Sequence, residues 1–110
     1  MNNITASPNF KATTNIKSCE NYLSKQEIKE LTKIGERIGF KTDTINFNIS
    51  KLDNDTLIIS HKAKFNIDGN LLESNHKKHT VANNFKPYAY VKEKMFMLKE
   101  LYNDVASRMI

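Results

Sequence analysis

Glycine is scarce in this chain: only Gly35, Gly39 and Gly69 occur among 110 residues, too far apart to build a loop that cradles phosphate with backbone amides. Cysteine is scarcer still. Cys19 stands alone, so no disulfide can form within the chain, and a reducing, cytoplasmic setting is expected. No apolar run approaches the ~20 residues that a membrane-spanning helix needs, and residues 1–10 lack the basic start and apolar stretch of a secretory signal. Tryptophan is absent and arginine nearly so: fifteen of the seventeen Lys and Arg residues are lysine, the exceptions being Arg37 and Arg108. Lysine is a solvated point charge and grips a base edge or phosphate less specifically than arginine. The net charge of +5 therefore favours anionic partners without naming one.

What is present describes one soluble globular domain. Hydrophobic residues at 39% and charged residues at 26% exclude wholesale disorder, and 110 residues leave no room for a second core. Residues 1–18 are rich in Asn, Ser and Thr, with Ile4, Phe10 and Ile16 as isolated apolar anchors. They read as an N-terminal arm or a docking edge strand attached to a single domain over 19–110.

Ser24 and Glu27 have the spacing of a capping box, flanked by Leu23 and Ile28 as a hydrophobic staple. Ile28, Leu31, Ile34 and Ile38 then recur on one helical face. Gly39 is expected to end that helix as a left-handed cap, with Phe40 folded back on the final turn. From Thr44 the period becomes two: Ile45, Phe47 and Ile49 alternate with polar residues, as in a strand with one buried face. A second strand carries Leu57, Ile59, His61, Ala63, Phe65 and Ile67 on one side. Asp68-Gly69 is a hairpin signal, and a turn there pairs Ile67 with Asn70, Phe65 with Leu72, Lys64 with Glu73 and His61 with His76. The third strand is expected to fade after about His76, where the sequence turns polar and basic. A long helix starts near 84–87, with Pro87 in its first turn and a stripe of Tyr88, Val91, Met95, Leu98, Tyr102, Val105 and Met109.

These elements give an α+β two-layer sandwich, α-β-β-β-α. A three-stranded antiparallel sheet carries two helices on one face, and an extra N-terminal strand is held in reserve by residues 1–18. The connections between the three strands are too short for parallel winding.

No catalytic, metal or nucleotide fingerprint is present, so the expectation is a protein that is not an enzyme and uses no cofactor. His76 and His79 fall on opposite faces of a strand, and His61 with His76 lacks a third ligand, so no metal site is expected. Cys19 has no positional link to a histidine and no Gly-x-Ser-x-Gly turn exists. Asp53 and Asp55 belong to a turn.

The order α-β-β-β-α resembles that of double-stranded RNA-binding domains, with Lys77 and Lys78 ahead of the second helix, although Pro87 delays the helix beyond that family's spacing. With a leading strand it is similar to ribosome-hibernation factors. The likeness is of element order without a shared motif, and it implies an RNA- or ribosome-facing protein.

Two surfaces are singled out. Lys62, Lys64, Lys77 and Lys78 are candidates for polyanion contact. Phe96, Met97 and Leu101 widen the apolar stripe of the last helix beyond what a small sheet covers, and are candidates for a protein interface or homodimer. Arginine is scarce and the strand aromatics are assigned to the core, which tips the expectation towards a small protein-binding or regulatory module. An RNA- or ribosome-associated protein is the alternative. Neither a membrane nor a small-molecule substrate is expected.

Overall fold

The computed structural model describes residues 11–40 and 42–108; Ile4, Phe10 and Met109, singled out above, lie outside them. Four strands, β1 (Thr13–Asn15), β2 (Thr44–Lys51), β3 (Thr56–Ile67) and β4 (Asn70–Val81), form one mixed sheet in that order. Two α-helices, α1 (Lys25–Glu36) and α2 (Pro87–Arg108), and two single-turn 3-10 helices, Lys17–Cys19 and Ala82–Asn84, complete the described residues. The α+β class holds, but the sheet has four strands rather than three and is not wholly antiparallel. Thr13, Thr14 and Asn15 pair in parallel with Thr44, Ile45 and Asn46, and α1 is the crossover that a parallel pair requires.

The start of α1 forms as its residues dictate. Ser24 Oγ accepts from the Glu27 amide at 3.1 Å and Glu27 Oε1 accepts from the Ser24 amide at 2.8 Å, closing the capping box. Its end departs from expectation. The last helical residue is Glu36, and Gly39 is not in the left-handed region. Glycine is required there for space: a Cβ on Gly39 would overlap the side chain of Asp43. Phe40 does not fold back on the helix but stands 52% exposed. Its amide donates to Asp43 Oδ2 at 2.7 Å, while Asp43 Oδ1 accepts from the Asn66 amide at 2.7 Å and the Asp43 carbonyl accepts from Thr13. Asp43 is 0% exposed. One buried carboxylate thus joins the loop after α1, the end of β3 and, through its backbone, the edge strand β1.

The hairpin follows the sequence closely. Asp68 and Gly69 both have positive φ, 51° and 83°, the signature of the two-residue turn whose twist matches a sheet. The four pairings anticipated across it are all present. β4 does not fade at His76, however, and pairs with β3 as far as Val81 opposite Thr56. An edge strand sees solvent on its flank, so a polar, basic run costs little there.

A single core fills the space between sheet and helices. Ile45, Phe47, Ile49, Leu57, Ile59, Ala63, Phe65 and Ile67 meet Leu31 of α1 and Val91, Met95 and Leu98 of α2, with Ile16 and Cys19 closing one end. Phe65 packs edge to face on Tyr102 at 5.2 Å between centroids. Across the two helices, Tyr88 donates to Glu30 and Lys92 lies 3.3 Å from the same carboxylate.

Candidate functional site

Strand alternation sorts the candidate residues onto two surfaces. In β2 and β3 the odd-numbered side chains face the core, and the register makes the even-numbered side chains of β4, Leu72, Ser74, His76, Lys78 and Thr80, their neighbours on that inner face. The four lysines therefore do not share one patch. Lys62, Lys64 and Lys77 stand on the open face, in rows with Asn15, Asn46, Asn48, Ser60, Asn75 and Glu73. A shallow depression of about 470 Å³ lies over Asn46, Asn48, Ser60, Lys62, Asn75 and Lys77. Lys78 is on the inner side, its ammonium 5.9 Å from the centre of the Tyr90 ring, which Lys94 also approaches at 5.4 Å.

The apolar candidates also divide. Met97 and Leu101 line a groove of about 310 Å³ between α2 and β4, together with His61, Ser74, His76 and Lys94. Met97 is 52% exposed and Leu101 half-buried. Phe96, 44% exposed, does not line it. At about 100° per residue, Phe96 sits roughly 140° around the helix from Leu101, on the flank towards Lys92 and α1.

The groove floor is polar. His61 is buried against Phe47 at 5.3 Å and His76 at 5.8 Å between ring centroids, with Nε2 3.3 Å from Ser74 Oγ. Burial first, then the neighbouring His76 and Lys94, pushes the His61 imidazole below its ordinary pKa of 6.5. Its inward position follows from the odd-numbered alternation of β3. His79 lies on the opposite face from His61 and His76, beside Ile58. Among the described residues no three of His, Cys, Asp or Glu gather as a metal would require, and Cys19 is buried, its thiol pushed up to about 11 by desolvation.

Sequence reasoning did not isolate the outer margin of the groove. β4 is the last strand of the sheet, and among the described residues nothing pairs with its far side over twelve residues. The hairpin turn closes on the Ile67 and Asn70 pair, which exchanges both backbone bonds. Alternation then turns the N–H and C=O of even-numbered β4 residues towards β3. The Ala82 amide, donating to the Asp55 carbonyl at 2.9 Å, continues this parity. The backbone groups of Leu71, Glu73, Asn75, Lys77 and His79 therefore point to the free edge. Its signal in the sequence was the length of the run after Gly69, whose partners along β3 reach back to Thr56.

No protein-family model matches the chain, and no curated protein matches it. No helix among the described residues is long and apolar enough to cross a membrane.

Proposed function

We propose that this chain is a small, non-enzymatic module acting through protein–protein contacts, with the free edge of β4 and the adjoining α2 groove as its docking surface. The observation that carries this reading is a twelve-residue edge strand whose outer backbone row pairs with none of the described residues, bordered by a groove lined by Met97 and Leu101. Natural sheets shorten, bend or cover such edges because an exposed one recruits another strand. Strand addition supplies backbone hydrogen bonds along the edge, while a neighbouring groove takes side chains from the incoming chain. Cys19, with its buried thiol, is poorly suited to nucleophilic work. A photoreactive phenylalanine analogue at Met97 tests the reading in cells. Protein adducts are expected from Met97 and not from the same probe at exposed Lys99; equal yields at the two positions, or none at Met97, would overturn it.

The open face supports a second reading, phosphate contact with RNA, through Lys62, Lys64 and Lys77 amid four asparagines. Lys78 is not part of that surface. Three phosphate contacts to a single strand give a salt slope of about −2, hence roughly a twentyfold loss of affinity between 50 and 200 mM salt. Filter binding with Lys62, Lys64 and Lys77 changed to Ala should abolish that slope; binding that ignores both salt and substitution removes this reading.

A further inference from the structure

The docking partner can be identified more closely by asking which strand the β4 edge fits. We infer that the partner is a second copy of this chain, joined by antiparallel pairing of β4 with the partner's β4 about a two-fold axis at Asn75; this rests on the docking reading above. The parity of the edge sets the first condition. Only odd-numbered residues offer backbone groups outward, so a symmetric antiparallel pair must place odd residues opposite odd residues. Charge then selects among the allowed registers. Centring on Asn75 sets Glu73 of each copy opposite Lys77 of the other, giving two opposite-charge pairs on the open face. Centring on Glu73 or on Lys77 would oppose like charges, and centring on Ser74 or His76 leaves both Glu73 and Lys77 without an opposite-charge partner.

The same register gives the groove an occupant. On the inner face, Leu72 comes opposite the stem of Lys78 beside the groove, while Leu71, 64% exposed, comes opposite His79 on the open face. The two β3 strands end up three strand spacings apart, about 14 Å. Each α2 lies across its own β3. Bare helix packing needs 8–10 Å between axes, so the gap is wider than direct contact by about the reach of long side chains. Met97 and Leu101, which face that gap from each copy, fill it over the paired β4 strands. The result is one continuous eight-stranded sheet with all four helices on the same side. Self-pairing also explains why the edge bears both signs of charge: lysine on an edge repels strands at random, and Glu73 selects the one strand whose Lys77 falls opposite.

The test is charge exchange read by light scattering and sedimentation across a dilution series. The unaltered chain is expected to dimerise. Glu73→Lys alone and Lys77→Glu alone each replace two attractive pairs by two repulsive ones and should weaken association about tenfold. The double variant Glu73→Lys/Lys77→Glu restores both pairs and should return to the original affinity. Both residues are exposed, and circular dichroism confirms that each variant folds. Single losses without rescue would overturn the Asn75 register. A chain that stays monomeric at every concentration would overturn self-pairing, and so would a monomer whose odd-numbered β4 amides are already protected, since a segment of the same chain then covers the edge. If that monomer still forms adducts with another protein through Met97, docking stands and only the identity of the partner falls; without such adducts both fall.

Discussion

Replacing Asp43 should destabilise the fold more than its position in a loop suggests. Its two carboxylate oxygens accept from the Phe40 and Asn66 amides, both at 2.7 Å, in a site with no solvent exposure. Removing an acceptor from a buried donor costs about 1–3 kcal/mol, so Asp43→Ala, which orphans both amides, should cost roughly 4 kcal/mol. That is a large share of the 5–15 kcal/mol by which domains of this size are stable, and it should lower Tm by about 15–20 °C. Asp43→Asn keeps one acceptor and sets an amide N–H against the other donor. Relief of a buried charge offsets part of that loss, and about 2 kcal/mol should remain. Urea denaturation followed by circular dichroism measures both. Gly39 supplies an internal control, because a methyl at that position collides with the Asp43 side chain. Gly39→Ala should be costly in the native background and clearly less so in the Asp43→Ala background, where only the 3.1 Å approach to the Cβ of residue 43 remains, a coupling that a double-mutant cycle reads directly. If either Asp43 variant unfolds within 0.5 kcal/mol of the original, or the two positions prove additive, the clamp does not hold these segments.

Three further outcomes follow from the same geometry. Because the native fold holds His61 below its ordinary value of 6.5, the unfolded chain takes up a proton there before the folded one does. The associated stability is full above pH 6.5 and is lost as pH falls from there towards the native pKa; His61→Leu should flatten the acid limb of a stability profile, and an unchanged limb would remove His61 as its source. With its buried thiol raised to about 11, Cys19 should resist a thiol reagent in the folded protein and react only on unfolding, whereas rapid native labelling would place it at the surface. Met97→Lys should leave Tm within a few degrees, since Met97 is half exposed, while Met95→Lys should unfold the chain; equal damage from both would put Met97 in the core.

The fold was legible wherever one local rule acted over several residues. The capping box at Ser24, the alternation of β2 and β3, and the Asp68-Gly69 turn each write their geometry into adjacent positions, and the register across the hairpin follows from that turn alone. β1 falls within the segment 1–18 held in reserve for an extra strand, but its three residues, Thr13–Asn15, are too few for alternation to fix its bounds or its parallel pairing. Its trace in the sequence was Gly35 inside a helix: a Cβ there would come within 2.5 Å of Thr14 Oγ1, so the glycine marks where α1 lies close on the edge strand. The role of Gly39 was misread because its constraint comes from Asp43, four residues on, rather than from its own backbone angles. The candidate surfaces were half legible. Composition singled out lysines and apolar residues as types, but which face each occupies depends on parity in β4 and on angle around α2. Those two counts separate Lys78 from Lys62, Lys64 and Lys77, and Phe96 from Met97 and Leu101.

Hydrogen exchange along β4, residue by residue, tests the docking surface most directly. The amides of Ser74, His76 and Lys78 point to β3 and should be protected in dilute and concentrated protein alike. Those of Glu73, Asn75 and Lys77 point to the open edge and should exchange quickly when the protein is dilute, then gain protection as the chain associates. Odd-numbered amides that exchange freely under every condition, including in complexes captured through Met97, would contradict the account.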